Sequence, residues 1–110
     1  VERANLYLDA GADLAFVVGV TTMAEVQALV AGIHGPVSIA AGLPNNIHSL
    51  SIVDLKACGV ARVSLPVIAI FSAIRAISRT LLALRDSESF SAILQEHLLC
   101  SPEELSGLIR

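Results

Sequence analysis

The stretch "GPVSIAAG", residues 35–42, decides the fold of this chain. It is short, almost wholly apolar and closed by glycine at both ends, as a buried strand is. Two similar runs, "ADLAFVVG" (12–19) and "GVARVSLP" (59–66), flank it at a spacing of roughly 24 residues, which is typical of repeated βα units. Because none of the three runs alternates apolar with polar residues, they predict parallel strands that are covered on both faces.

Helix signals fill the intervals between these runs. Thr22 and Glu25 form the T-x-x-E pattern of a capping box, and Ser51 with Asp54 caps the next predicted helix. After Pro66 a long helical segment begins, and "SFSAILQEHLL" and "SPEELSGLI" predict two short helices beyond it. The predicted order is therefore α, β, α, β, α, β, long α, α, α, with right-handed crossovers and a parallel sheet.

A sheet of three strands alone would leave two long unpaired edges. We therefore predict an α/β fold that is the C-terminal half of a (β/α)₈ TIM barrel, with its three strands parallel. The long helix and the two short C-terminal helices follow the strands. Residues 1–87 are predicted to hold the βα units and the long helix, and residues 88–110 a helical tail of the same domain.

Composition excludes several classes of protein. Apolar residues make up 55% of the chain and charged residues 15%, which excludes disorder. A net charge of −3 and 4% aromatic residues argue against nucleic-acid binding. The most apolar run is broken by Pro66 and Arg75 and is too short to span a membrane. Cys58 and Cys100 form no metal or redox pattern, which predicts buried free thiols and a cytoplasmic location. Since the chain opens on Val1 with a helix already under way, we expect a piece of a longer protein.

The sequence also resembles a known enzyme superfamily. "RANLYLDAGADLAFVVG" (3–19) is similar to the R-A-x-x-Y-x-x-A-G-A-D-x-x-F-V-x-G segment of the isocitrate lyase/phosphoenolpyruvate mutase superfamily, above all its phosphonomutase and 2-methylisocitrate lyase-like branch. "LKACGVARVSLP" (55–66) resembles the L-x-x-L-G-V-A-R-V-S-x-G segment that leads through strand eight. The long helix from Val67 resembles the eighth helix, which in this superfamily is typically exchanged between subunits.

The resemblance implies a Mg²⁺-dependent enzyme that acts on small α-oxycarboxylates. Such enzymes cleave a C–C bond or rearrange a P–C bond through an enolate. The superfamily's Mg²⁺ ligands, catalytic loop and main substrate-binding arginine come from earlier strands, which this chain lacks. We therefore assign no catalytic residue and no metal ligand here, and we predict that the chain alone is inactive.

Barrel chemistry sits at the C-terminal ends of the strands, and the residues there are the candidates for a substrate rim. These candidates are Gly19, Gly42, Asn45, Asn46 and Ser64. Gly42 would allow close approach of a ligand to the backbone, or it would serve only the turn. Asn45 and Asn46 would donate amide hydrogens to a carboxylate, or they would serve as turn and cap residues. Pro66 stands where many relatives have glycine, which leaves the reaction open.

Two functions remain in view. The first is the C-terminal part of a lyase or phosphonomutase, and the second is a non-catalytic half-barrel that serves assembly or binding. Acidic residues at strand ends before Val1 would favour the first. A flavodoxin-like domain is disfavoured, because no glycine-rich phosphate loop opens a helix. In both main cases we expect a homo-oligomer formed through the open sheet edges and the helix at 67–84.

Overall fold

The computed structural model describes residues 1–108 and contains helices and strands in the predicted order. The helices are α1 (Glu2–Asp9), α2 (Met23–Gly32), α3 (Ile52–Ala57), α4 (Ile68–Ser87), α5 (Ser91–Gln95) and α6 (Pro102–Leu108). The strands are β1 (Ala15–Val17), β2 (Val37–Ala40) and β3 (Arg62–Ser64). Two compact units divide the chain: the first is Val1–Ala69, and the second begins at Ile70.

The three strands form one parallel sheet in the order β1-β2-β3. Val17 pairs with Ile39, and Ile39 in turn pairs with Val63. The strands are shorter than the apolar runs that predicted them, because the residues at each end of a run enter the connecting loops. The parallel sheet and its chain order are confirmed.

Helix starts follow the predicted caps. Thr22 Oγ1 accepts a hydrogen bond from the Glu25 amide at 3.3 Å, and Glu25 Oε2 accepts one from the Thr22 amide at 3.0 Å, which completes a capping box. Ser51 Oγ accepts from the Asp54 amide at 3.1 Å at the start of α3. These side chains satisfy amides that a helix otherwise leaves without partners at its first turn, so α2 and α3 begin where the sequence predicts.

One face of the sheet carries the hydrophobic core of the first unit. Val37 and Ile39 on this face pack with Val26 of α2 and Leu55 of α3, and all four are buried. Leu8 of α1 packs against the same cluster, so the first three helices all cover the same face. Each such buried aliphatic side chain stabilises the fold by about 1.5–3 kcal/mol. Helices on a single face are the arrangement of a barrel, whereas a flavodoxin-like sheet has helices on both faces.

The other face of the sheet, which we call the open face, presents Phe16, Ser38 and Arg62 in one row of paired residues. Phe16 is 50% exposed there. The strand residues in the hydrophobic core all come from the positions that alternate with these three. The helices α1, α2 and α3 therefore pack on the core face and not on the open face.

The second unit is helical. Arg79 Nη2 of α4 forms an ion pair with Glu96 Oε2 at 2.7 Å. Ile93 of α5 is buried, whereas the apolar side chains of α4 at Phe71 and Ile74 are more than half exposed. Within residues 1–108, no helix combines the length and the apolar character that crossing a membrane requires.

The prediction of buried thiols is wrong for Cys100. This residue is exposed, and Cys58 is only half-buried; both are free thiols. The cause lies in secondary structure, because Cys100 stands in the connection between α5 and α6 rather than on the apolar face of a helix.

Candidate functional site

The C-terminal ends of the three parallel strands lie on one edge of the sheet, which we call the rim. It comprises residues 18–20 after β1, 41–46 after β2 and 64–66 at the end of β3. The Ala41 amide donates to the Ser64 carbonyl at 2.9 Å, so the last two strands stay joined up to the rim. The five predicted site residues all lie in these three segments, because a parallel sheet brings the same end of each strand to the same edge.

Asn46 is the most firmly held side chain of the rim. It is 1% exposed, and its Nδ2 donates to the Val20 carbonyl at 2.9 Å and to the Ala40 carbonyl at 3.0 Å. Its Oδ1 accepts from the Leu43 amide at 2.9 Å. Both amide hydrogens are therefore committed to the backbone, which corresponds to the turn-and-cap interpretation of this residue.

The bond to Ala40 takes the place of a sheet bond. In β1 the Ala15 amide donates to the Pro36 carbonyl at 2.9 Å, and in a parallel pair the same pattern repeats every second residue. If this pattern continued to the rim, the Gly19 amide would donate to the Ala40 carbonyl. Asn46 occupies that carbonyl instead, and within residues 1–108 the Gly19 amide has no hydrogen-bond partner. The pairing of β1 with β2 thus ends at the point where the Asn46 side chain binds the Ala40 carbonyl.

Gly42 serves a tight turn and a close contact. Its φ of +72° lies in the left-handed region that favours glycine. A Cβ at this position would stand 2.7 Å from Cγ1 of Ile68, at the start of α4, and 2.9 Å from its Cδ1. The group that approaches Gly42 closely in this structure is therefore an isoleucine side chain, and both the turn and the packing require glycine.

The remaining candidates are more accessible. Gly19 and Asn45 are exposed, Ser64 is half-buried, and nothing lies within 4 Å of a Cβ built on Gly19. The Asn45 side chain makes no hydrogen bond within the part of the chain that the structure describes. Asn45, Gly19 and Ser64 are thus the rim candidates that are open to a ligand, while Asn46 and Gly42 hold the loops in shape.

Sequence reasoning missed a second link across the rim. Ser49 Oγ donates to the carbonyl of Thr21, which joins the loop after β2 to the loop after β1. It acts beside the Asn46 bond to Val20, and together the two fix both loops. No local pattern signals this contact, because it spans two separate βα connections.

Glu25 is a carboxylate five residues after the rim segment 18–20, and one of its oxygens is fully engaged. Its Oε2 accepts from the amides of Thr21 and Thr22 and from the Thr21 hydroxyl. The amide of Thr21, then that of Thr22, lowers the pKa of this carboxyl below its ordinary value. Glu25 is thus ionised at neutral pH and bound to the start of α2.

Residues 1–108 contain no group of three or more histidine, cysteine, aspartate or glutamate side chains that could hold a metal ion. Divalent magnesium is bound in proteins mainly by carboxylate oxygens and water. The rim residues of this chain are glycine, asparagine, serine and aliphatic residues, and they do not by themselves fit a Mg²⁺ site.

Comparison with known proteins gives consistent results. The family model described as phosphoenolpyruvate phosphomutase matches residues 1–85. A crystal structure of a "putative lyase/mutase" from Burkholderia cenocepacia J2315 is 27% identical with a TM-score of 0.80, over 98% of this chain and 37% of that one. A "putative phosphonomutase" from the same organism is 32% identical with a TM-score of 0.58, over 80% of this chain and 32% of that one. No curated protein matches the sequence.

The likeness to the first structure means that the sheet and its helices form part of a TIM-barrel-like fold. The chain spans about a third of the length of both solved structures it matches. The predicted fold class, an α/β partial barrel, is confirmed.

Proposed function

Since this chain belongs to the phosphoenolpyruvate phosphomutase family, within the isocitrate lyase/phosphoenolpyruvate mutase superfamily, we propose that it forms the C-terminal part of a Mg²⁺-dependent lyase or phosphonomutase. The substrate is a small α-oxycarboxylate. The reaction is C–C bond cleavage or P–C bond rearrangement through an enolate. The family match over residues 1–85 is the observation that carries this proposal.

Magnesium is proposed only because the chain belongs to this family. Because the described residues offer no set of carboxylates, its ligands are proposed to come from strands that complete the barrel outside this chain. The chain alone is accordingly inactive. Its contribution is the shape of one side of the site.

The rim residues of this chain would bind and orient the substrate. The Gly19 amide has no partner within residues 1–108, and a backbone N–H is a suitable donor to a carboxylate oxygen. Asn45 adds an exposed side-chain amide in the neighbouring loop. Asn46 and Ser49 keep the two loops fixed, so these donors are held in place before substrate binds.

An assay of the whole protein with phosphoenolpyruvate and a panel of α-oxycarboxylates tests the proposal. Phosphorus NMR follows the exchange between P–O and P–C bonded phosphorus, and release of a 2-oxo acid follows lyase activity. Turnover that requires Mg²⁺ and disappears with a chelator supports the proposal. A whole protein that turns over none of the panel with Mg²⁺ present contradicts it.

The exposed apolar surface favours a second candidate function, a non-catalytic assembly or binding module. Phe71, Ile74 and Ile77 of α4 are each more than half exposed, as is Val18 beside the edge of β1. Surface of this kind is typical of protein interfaces. Acidic residues at the ends of strands upstream of Val1 in the source gene would exclude this alternative, and their absence would favour it.

Self-association is expected under both candidate functions. We expect a homo-oligomer formed through the open sheet edges and the segment at 67–84, because α4 exposes several large aliphatic side chains along its length. Light scattering on the whole protein measures this directly. A compact monomer at micromolar concentration is the result against it.

A further inference from the structure

The open face of the sheet carries a charged group in an unusual setting. Arg62 pairs in register with Ser38, and Ser38 pairs with Phe16, so the three side chains form one row across all three strands. Arg62 Nε donates to Ser38 Oγ at 2.9 Å, and its guanidinium carbon lies 5.6 Å from the centre of the Phe16 ring. Arg62 is an exposed residue, but these two contacts hold its guanidinium against the sheet.

The three side chains of this row contact one another, although no helix of the first unit covers them. Ser38 is 0% exposed although it lies on the open face, because Arg62 lies over it. The guanidinium carbon lies over the ring of Phe16, which offers its π-face to the cation. A solvated surface arginine needs neither contact.

One part of the guanidinium is left without a partner. Its Nε is taken by Ser38, and Arg62 takes part in none of the contacts between basic and acidic side chains within residues 1–108, which are His34–Asp9, Arg79–Glu96 and Arg85–Asp86. The two Nη atoms therefore remain available for an end-on contact. Two parallel N–H groups in one plane match the two oxygens of a carboxylate.

The fold determines what faces this row. The helices cover the other face of the sheet, so in a closed barrel the open face is the interior, which is filled by layers of side chains from the strands. A charged side chain is almost never buried in such a layer without a partner of opposite charge.

We infer that Arg62 is one half of an ion pair inside the closed barrel, whose other half is an aspartate or glutamate carried by a strand outside this chain. The carboxylate binds the two Nη atoms end-on, while Ser38 and Phe16 hold the guanidinium. The pair lies one row away from the rim row of Ala40 and Ser64, toward the start of β3, and so it joins the two halves of the barrel away from the substrate. This inference rests on the proposed function only in needing the remaining strands of the barrel.

Zero-length cross-linking of the whole protein tests the inference. In the variant Arg62→Lys, the charge is kept and an amine becomes available at this position, so a water-soluble carbodiimide can couple it to an adjacent carboxylate. Mass spectrometry then identifies the joined peptides. Arg62→Met is the background control, and Arg75→Lys, at an exposed position of α4, is the matched control for a lysine on the surface.

The expected result is a cross-link from position 62 to one aspartate or glutamate on a strand of the same polypeptide, absent from both controls. A cross-link to a helix or loop acid, or none above the Arg62→Met background, overturns the inference. So does a cross-link between isotopically labelled and unlabelled copies in a mixed sample, since a second copy would then cover the open face.

A double-mutant cycle gives an independent readout. The neutral amide variant of the identified acid and Arg62→Met should each lower the urea midpoint, and their combination should lower it little further. Additive shifts would overturn the pairing. Neither readout measures turnover. A protein that shows the cross-link but has no activity would therefore contradict the proposed function and still support the ion pair.

Discussion

Nδ2 of Asn46 donates to the carbonyl of Ala40 at 3.0 Å, where the sheet pattern would otherwise place the amide of Gly19. The pairing of β1 with β2 ends at this point, and within residues 1–108 the Gly19 amide has no partner at the rim. The same side chain reaches Val20 and Leu43, so it joins the loop after β1 to the end of β2. The shape of the rim thus depends on a residue that is itself buried.

Replacement of Asn46 should be costly. Asn46→Ala leaves two buried carbonyls and one amide without partners, and we expect a loss of about 3 kcal/mol in the free energy of unfolding, measured by urea denaturation. Asn46→Asp keeps the shape and the bond from the Leu43 amide but sets its other carboxylate oxygen against two carbonyl oxygens, and it should destabilise at neutral pH by at least as much. The matched control is Asn45→Ala at the exposed neighbour, which should change stability by less than about 0.5 kcal/mol. Equal effects of Asn45→Ala and Asn46→Ala would refute this account.

Gly42→Ala should destabilise for two separable reasons. The positive φ costs about 1–2 kcal/mol for a residue with a Cβ, and the contact with Ile68 adds an overpacking cost of about 1–3 kcal/mol. Gly19→Ala is the control, because its φ is +86° and no atom lies near a Cβ there, so it reports the conformational cost alone. The two variants should differ by the packing cost. If both lose the same stability in thermal melts, the Ile68 contact is unimportant.

Glu25 should make the stability depend on pH at the acid end. Because the pKa of this carboxyl is lowered in the folded state, its contribution is fully present above its ordinary value of 4.5. The contribution is lost as the pH falls through the lower folded pKa, when protonation removes charge-assisted bonds from the Thr21 and Thr22 amides. Glu25→Gln should flatten this part of the profile of unfolding midpoint against pH. An unchanged acid limb in that variant would be the contrary result.

The two thiols should react at different rates. Cys100 is exposed and Cys58 only half-buried, so a thiol reagent should modify Cys100 first under native conditions. Cys100→Ser should remove the fast phase and Cys58→Ser the slow one, with both phases merging in denaturant. A single fast phase that belongs to Cys58 would contradict the structure of the first unit around α3.

Local signals account for most of what the sequence could predict. The caps at Thr22 and Ser51 and the three apolar runs each lie within a few residues of chain, so pattern alone finds them. The roles of Asn46 and Ser49 could not be found in this way. Their partners at Val20 and Thr21 lie in another βα connection, and only the folded sheet brings the two loops together.

The same limit applies to Arg62. Its partners Ser38 and Phe16 are set by the register between strands, which the sequence does not specify. The exposure of Cys100 was also beyond pattern reasoning, because the boundary of α5 lies before it rather than after it. The sequence predicted the helices and strands themselves better than the contacts between them.

Hydrogen exchange on the whole protein, with and without oxalate and Mg²⁺, tests most directly the claim that this edge of the sheet faces the substrate. Oxalate resembles the enolate of an α-oxycarboxylate and needs no turnover. We expect slower exchange in peptides that cover the rim, above all around Gly19 and Asn45, and no change at the opposite ends of the same strands. Unaltered exchange at the rim, with protection at those opposite ends, would contradict the account.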